Sequence, residues 1–169
     1  MHVRTLFAFL IAVASGVPAL AADEYRSQWK VEGWSGYDLF TNGRHFACDA
    51  VHDFGLHLSI RLERIAGRPA SELILWDSNG EVDFATIADV GTSVTLALGG
   101  VQHSYKVKDS YSMILVIVPE PGIMELLAAG GPMSFKLPNG KTYSAKLPRA
   151  AAAMANYRKC LENNGLAIN

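Results

Sequence analysis

The densest grouping of chemically capable side chains lies in one short stretch: His45, Cys48, Asp49, His52, Asp53 and His57. Imidazole, thiolate and carboxylate are all zinc-ligand types. Their spacing matches no closed zinc pattern. On strands, alternation sends neighbouring side chains to opposite faces, so nothing forces His45 and His57 onto one centre. The expectation is therefore a set of surface and capping residues, with no metal and no cofactor. The competing reading is a small metal-dependent hydrolase using His45, His52 and His57. A second constellation is aromatic: Trp29, Trp34 and Tyr37 flank Ser35-Gly36. Flat rings beside a small, flexible residue can hold a sugar or a peptide, which makes Trp34 and Tyr37 a candidate binding surface. Packing within a strand competes with that reading.

Other motifs carry less. Ser27-Gln28-Trp29-Lys30 has the Ser-x-x-Lys spacing of some acyl-transfer enzymes but stands in a strand-like context without the partner motifs. Gly140-Lys141-Thr142 resembles the end of a phosphate loop, but Phe135 stands where the opening glycine belongs, so a hairpin turn is expected. No set of nucleophile, base and orienting group is brought together by spacing, and the expectation is a protein without catalysis.

These residues must be positioned by short strands. Trp29-Lys30-Val31-Glu32 alternates, Thr41-Asn42-Gly43-Arg44 is a turn signal, and His45–Val51 reads as a strand carrying Cys48. His52–Gly55 reads as a loop. Leu56–Ile65 alternates apolar with polar, the pattern of a half-buried antiparallel strand. Further strands are expected at Glu72–Trp76, Val82–Ile87, Ser93–Leu98, Val101–Val107, Tyr111–Val118, Met133–Leu137 and Lys141–Leu147. Gly99-Gly100 marks one hairpin, Asn139-Gly140 another, and Lys108-Asp109-Ser110 a turn. Ile123–Ala129 reads as a short helix. Pro148 opens a C-terminal helix over 149–163, on which Ala153, Tyr157, Cys160 and Leu161 share a face. The expected fold is mainly β: an antiparallel sandwich or curved sheet of about eight strands, capped by the last helix.

The N-terminus supplies the compartment. Arg4 precedes an apolar run from Leu6 to Val13, and Ala19-Leu20-Ala21 follows, the layout of a secretory signal peptide over 1–21. That leaves one domain over 22–169, periplasmic or secreted. Cys48 and Cys160 are then expected to form a disulfide that ties the helix to an early strand. Of the 169 residues, 50% are apolar and 18% charged, which excludes a disordered chain. A formal net charge of −1 gives no electrostatic footprint for nucleic acid. No later run approaches the roughly 20 apolar residues of a spanning helix, so no membrane span is expected. The expected partner is a protein or another envelope component.

The order of Trp29-Lys30-Val31, Cys48, Leu126-Leu127, the Asn139-Gly140 hairpin and Ala150–Ala153 with Cys160 resembles the invasion-associated locus B family of small exported bacterial proteins. That family places a further Cys soon after its Trp-x-Val, where this chain has Glu32-Gly33. The resemblance implies a non-catalytic protein of the envelope or the host interface, with a part in virulence. Ser35-Gly36-Tyr37 is similar to a Ser-Gly loop of periplasmic lysozyme inhibitors, which implies the alternative of an inhibitor acting on a partner envelope enzyme.

Overall fold

The computed structural model describes residues 24–53 and 58–167. The signal-peptide reading of 1–21 and the placement of His57 lie outside them. The described residues form strands β1 (Glu24–Val31), β2 (Trp34–Thr41), β3 (Arg44–Asp53), β4 (Leu58–Ile65) and β5 (Glu72–Asp77), then helix α1 (Phe84–Ile87). Strands β6 (Ser93–Leu98), β7 (Val101–Tyr111) and β8 (Ile114–Ile117) follow, then helix α2 (Ile123–Ala128), strands β9 (Gly131–Lys136) and β10 (Thr142–Leu147), and helix α3 (Ala150–Asn163).

All strands belong to one sheet in the order β1-β2-β3-β4-β5-β8-β7-β6-β9-β10, and every neighbouring pair is antiparallel. Two-residue turns set much of this register. Asn42 and Gly43 both have positive φ, as do Gly99 and Gly100, the backbone geometry that matches the twist of paired strands. Strand β7 serves both halves of the sheet. Val101–Lys106 pairs with β6, Val107–Tyr111 pairs with β8, and the register shifts between Val107 and Asp109. The sheet thereby wraps a main core, to which β3, β4, β5 and β8 contribute from one half and β6, β7 and β9 from the other, while Leu39, Ala47 and Ile65 form a small second cluster.

The ends of the sheet approach each other. The Trp34 indole N–H donates to the Pro148 carbonyl at 2.9 Å. The His52 ring contacts the Lys146 carbonyl at 2.9 Å and the Gly33 carbonyl at 2.6 Å. Helix α3 packs on β1, β2 and β3 and against α2. Ala150, Ala153, Met154, Tyr157 and Leu161 form its buried face. Leu166 N–H bonds to the Leu161 carbonyl and Gly165 N–H to the Glu162 carbonyl, closing its last turn. The Cys48–Cys160 disulfide joins β3 to α3, with Cα atoms 6.1 Å apart.

Several expectations need correction. Val82–Ile87 is not a strand: Val82 N–H bonds to Asp77 Oδ2, Phe84 N–H bonds to the Ser112 carbonyl, and Phe84–Ile87 makes one helical turn. Lys108-Asp109-Ser110 is not a turn. It continues β7, with Lys108 paired to Glu72, and the chain reverses instead at Ser112-Met113. His52 lies on β3 rather than in a loop. Pro148 precedes α3, whose cap is Arg149 at φ 52. The described residues hold ten strands where about eight were expected.

Candidate functional site

Directly opposed residues of antiparallel strands share a face. On the face of β2–β4 turned towards α3 and the core, Trp34, His52 and Ile60 form one row, and Gly36, Ala50 and Leu62 the next. The other face carries Tyr37, Asp49, Glu63 and Glu72 in one row. Ser35, Val51, Arg61 and Ile74 form the second, and Asp53, Ser59, Trp76 and Ile114 the third. A groove of about 510 Å³ opens on this outer face, with Tyr25, Tyr37 and Trp76 as its aromatic walls. Trp76 is 41% exposed and Tyr25 55%, so their rings are available to a ligand. A smaller hollow of about 200 Å³ continues it past Ser35, Asp53 and Ser59.

Asp49 and Arg61 sit at the floor. Arg61 Nη2 lies 2.5 Å from Asp49 Oδ2 and 2.7 Å from Glu63 Oε1. The guanidinium carbon stands 5.5 Å from the centre of the Tyr25 ring. Burial pushes the Asp49 carboxyl up to about 7, against the lowering pull of Arg61. Burial also works against the Arg61 charge, but Asp49 and Glu63 outweigh it and hold Arg61 above its ordinary value. Among the described residues, Asp49 Oδ1 receives no hydrogen bond and Arg61 Nε makes none. Both atoms are buried, in a floor that lies under the aromatic walls of the groove. The last carboxylate in the row, Glu72, is closed off. Burial would raise it, but Lys108 and Arg68 hold it below its usual range.

The two aromatic residues singled out in the sequence part company. Tyr37 lines the groove, whereas Trp34 is 2% exposed and belongs to the core, so it is not part of a surface. Trp29 also turns inward, because a register shift between Ser27 and Trp29 places it opposite Gly36. A Cβ on Gly36 would stand 1.9 Å from the Trp29 ring, so only glycine leaves room for it.

Of the candidate histidines, His45 and His52 do not converge. Both His52 nitrogens are engaged with main-chain carbonyls, at an exposure of 3%. His45 points instead towards Cys48, with its Nε2 3.7 Å from the sulfur. Tyr25, Trp76 and Arg61 were missed as site residues. The alternation of Leu58–Ile65 puts Arg61 on the polar face, but only strand pairing brings Tyr25 and Trp76 to it. A larger hollow of about 570 Å³ over β6, β9 and β10 is lined by residues such as Ala97, Ser134, Ser144 and Lys146 and has neither an aromatic plane nor a carboxylate. The chain matches no protein-family model, no curated protein and no solved structure in these comparisons.

Proposed function

We propose that the chain is an exported, non-enzymatic binding protein of the bacterial envelope or host interface, and that it holds a sugar ring of an envelope glycan in the outer-face groove. The observation that carries this reading is the pairing of Tyr25, Tyr37 and Trp76 with the Asp49–Arg61 floor. An aromatic plane takes the C–H face of a sugar ring. Asp49 and Arg61 line the same groove as a carboxylate acceptor and a guanidinium donor, the polar pair that hydroxyls flanking the ring would meet. A disulfide is compatible with an oxidising periplasmic or secreted setting. The resemblance to the invasion-associated locus B family points the same way.

The test is calorimetric titration of the purified protein with soluble fragments of envelope polysaccharide and peptidoglycan. Trp76→Ala and Tyr37→Ala should each weaken binding about tenfold, equivalent to about 1.4 kcal/mol. Equal binding by wild type and by the Tyr37→Ala/Trp76→Ala double variant would refute the groove. Turnover of the bound glycan, lost in Asp49→Asn, would replace the binding reading with an enzymatic one.

A further inference from the structure

Four potential metal donors meet where α3 docks on the sheet: Asp38 from β2, His45 and Cys48 from β3, and Cys160 from α3. Strand pairing assembles the first three. Asp38 stands directly opposite Cys48, and both face α3. The ladder shifts register beside Phe46, which brings His45 opposite Phe40 rather than leaving it one position away. The His45 ring is held edge-on to Phe40, with centroids 5.4 Å apart, and its Nε2 reaches the Cys48 sulfur at 3.7 Å and Asp38 Oδ1 at 3.9 Å. Cys160 Sγ lies 2.8 Å from Asp38 Oδ1. All four donor atoms fall within 4.8 Å of one another.

We propose that the dithiol form of this protein binds one zinc ion through Asp38, His45, Cys48 and Cys160, and that this centre and the Cys48–Cys160 disulfide are alternative cross-links between β3 and α3. Two thiolates, an imidazole and a carboxylate form a donor set suited to zinc. Tetrahedral zinc with bonds of about 2.0–2.3 Å spaces its ligand atoms about 3.5 Å apart. The His45–Cys48 and His45–Asp38 distances already stand close to that spacing. The two sulfurs must separate substantially, and the 2.8 Å between Cys160 Sγ and Asp38 Oδ1 must widen, both by rotation of the Cys160 side chain once the bond between the sulfurs is gone. The setting is enclosed: Cys48 is fully buried, and the Asp38 and His45 side chains are each 13% exposed. A second layer is in place. Asn164 Nδ2 lies 3.9 Å from the Cys48 sulfur and 3.8 Å from the Cys160 sulfur, and is anchored on the Cys160 carbonyl at 2.9 Å. An amide N–H there stabilises thiolate charge. With four protein ligands and no open position, the centre is structural.

The two states exchange by balanced chemistry. A phosphine and one water reduce the disulfide to two thiols, the phosphine leaving as its oxide. Zinc then displaces both thiol protons into solvent. In the other direction, a disulfide oxidant takes two electrons from the thiolate pair, becomes a dithiol with two solvent protons, and the zinc ion is released.

The experiment uses the exported chain with its disulfide formed, reduced anaerobically with a phosphine and titrated with Co²⁺ and then Zn²⁺. One equivalent of Co²⁺ should give thiolate charge-transfer absorption and the intense visible bands of a tetrahedral centre, and Zn²⁺ should bleach both. The unreduced protein should give neither. His45→Ala and Asp38→Ala keep both cysteines and should fold with the disulfide formed, and after reduction each should bind at least about tenfold more weakly. Circular dichroism reads folding in parallel. If the reduced chain unfolds, refolding by one equivalent of Zn²⁺ supports the site, and failure to refold overturns it. A folded, reduced chain without the cobalt bands also overturns it, as does binding unchanged by both the His45 and the Asp38 variants.

Discussion

Asp49 shows how one residue can be placed against its own chemistry. It is 2% exposed, and burial raises its carboxyl to about 7 although Arg61 pairs with it. A group whose pKa is higher in the folded state binds its proton more tightly there than in the unfolded chain. Its contribution to stability therefore grows as pH falls through 7 towards the unfolded value near 4, and is lost as pH rises back through that window. Glu72, held low by Lys108 and Arg68 after burial is offset, acts in the opposite sense at acid pH. The expected outcome is that wild type loses stability relative to Asp49→Asn between about pH 4 and pH 7, the window set by the two Asp49 values. Urea unfolding of both proteins across that range checks it. A constant difference would show that Asp49 does not take up its proton in this window.

Among the elements, α3 depends most on a single tie. Two of the five residues on its buried face are Ala, and Met154, Tyr157 and Leu161 supply most of the apolar volume. It starts without a side-chain cap, from an Arg149 in the left-handed region. The disulfide closes a sequence separation of 112 residues. Chain entropy assigns a loop of that length about 4–5 kcal/mol, an upper value where the reduced chain keeps structure. Metal-free Cys160→Ser is expected to melt on the order of 10 °C lower, from about 2–4 °C per kcal/mol for a domain of this size. Thermal denaturation followed by circular dichroism measures it. A shift of only a degree or two would mean that packing alone holds the helix.

At the scale of the whole molecule, a single sheet has to bend far enough to bury one core, and small seams hold the bend. His52 is the clearest: one imidazole joins the β1–β2 turn at Gly33 to the end of β10 at Lys146, and the Trp34 ring lies 4.8 Å from it. His52→Ala would remove the ring that touches both main-chain carbonyls, at an expected cost of about 1–3 kcal/mol. Chemical denaturation gives the value, and hydrogen exchange should show the loss first at β10. His45→Ala in the disulfide form should cost less, because its side chain is less buried and its contacts are fewer. Equal losses in the two variants would argue against the seam.

Local signals carried much of the fold. Asn42-Gly43 and Gly99-Gly100 announced their hairpins because few residues tolerate two consecutive positive φ values. The 3.6-residue spacing of Ala153, Tyr157 and Leu161 marked the buried face of α3, and two cysteines after an export-like leader announced the staple. The groove was legible only in part. Tyr37 was identified, but Trp34 looked equally available, because strand alternation names two faces without saying which is wet. Register decided that, and so did the local shifts beside Ser27 and Phe46, which turned Trp29 against the core and His45 towards the disulfide. Bringing Tyr25, Asp49, Arg61 and Trp76 together took five strands, β1 to β5, paired in order. Such contacts join residues far apart in the chain, and their geometry comes from the tertiary structure alone.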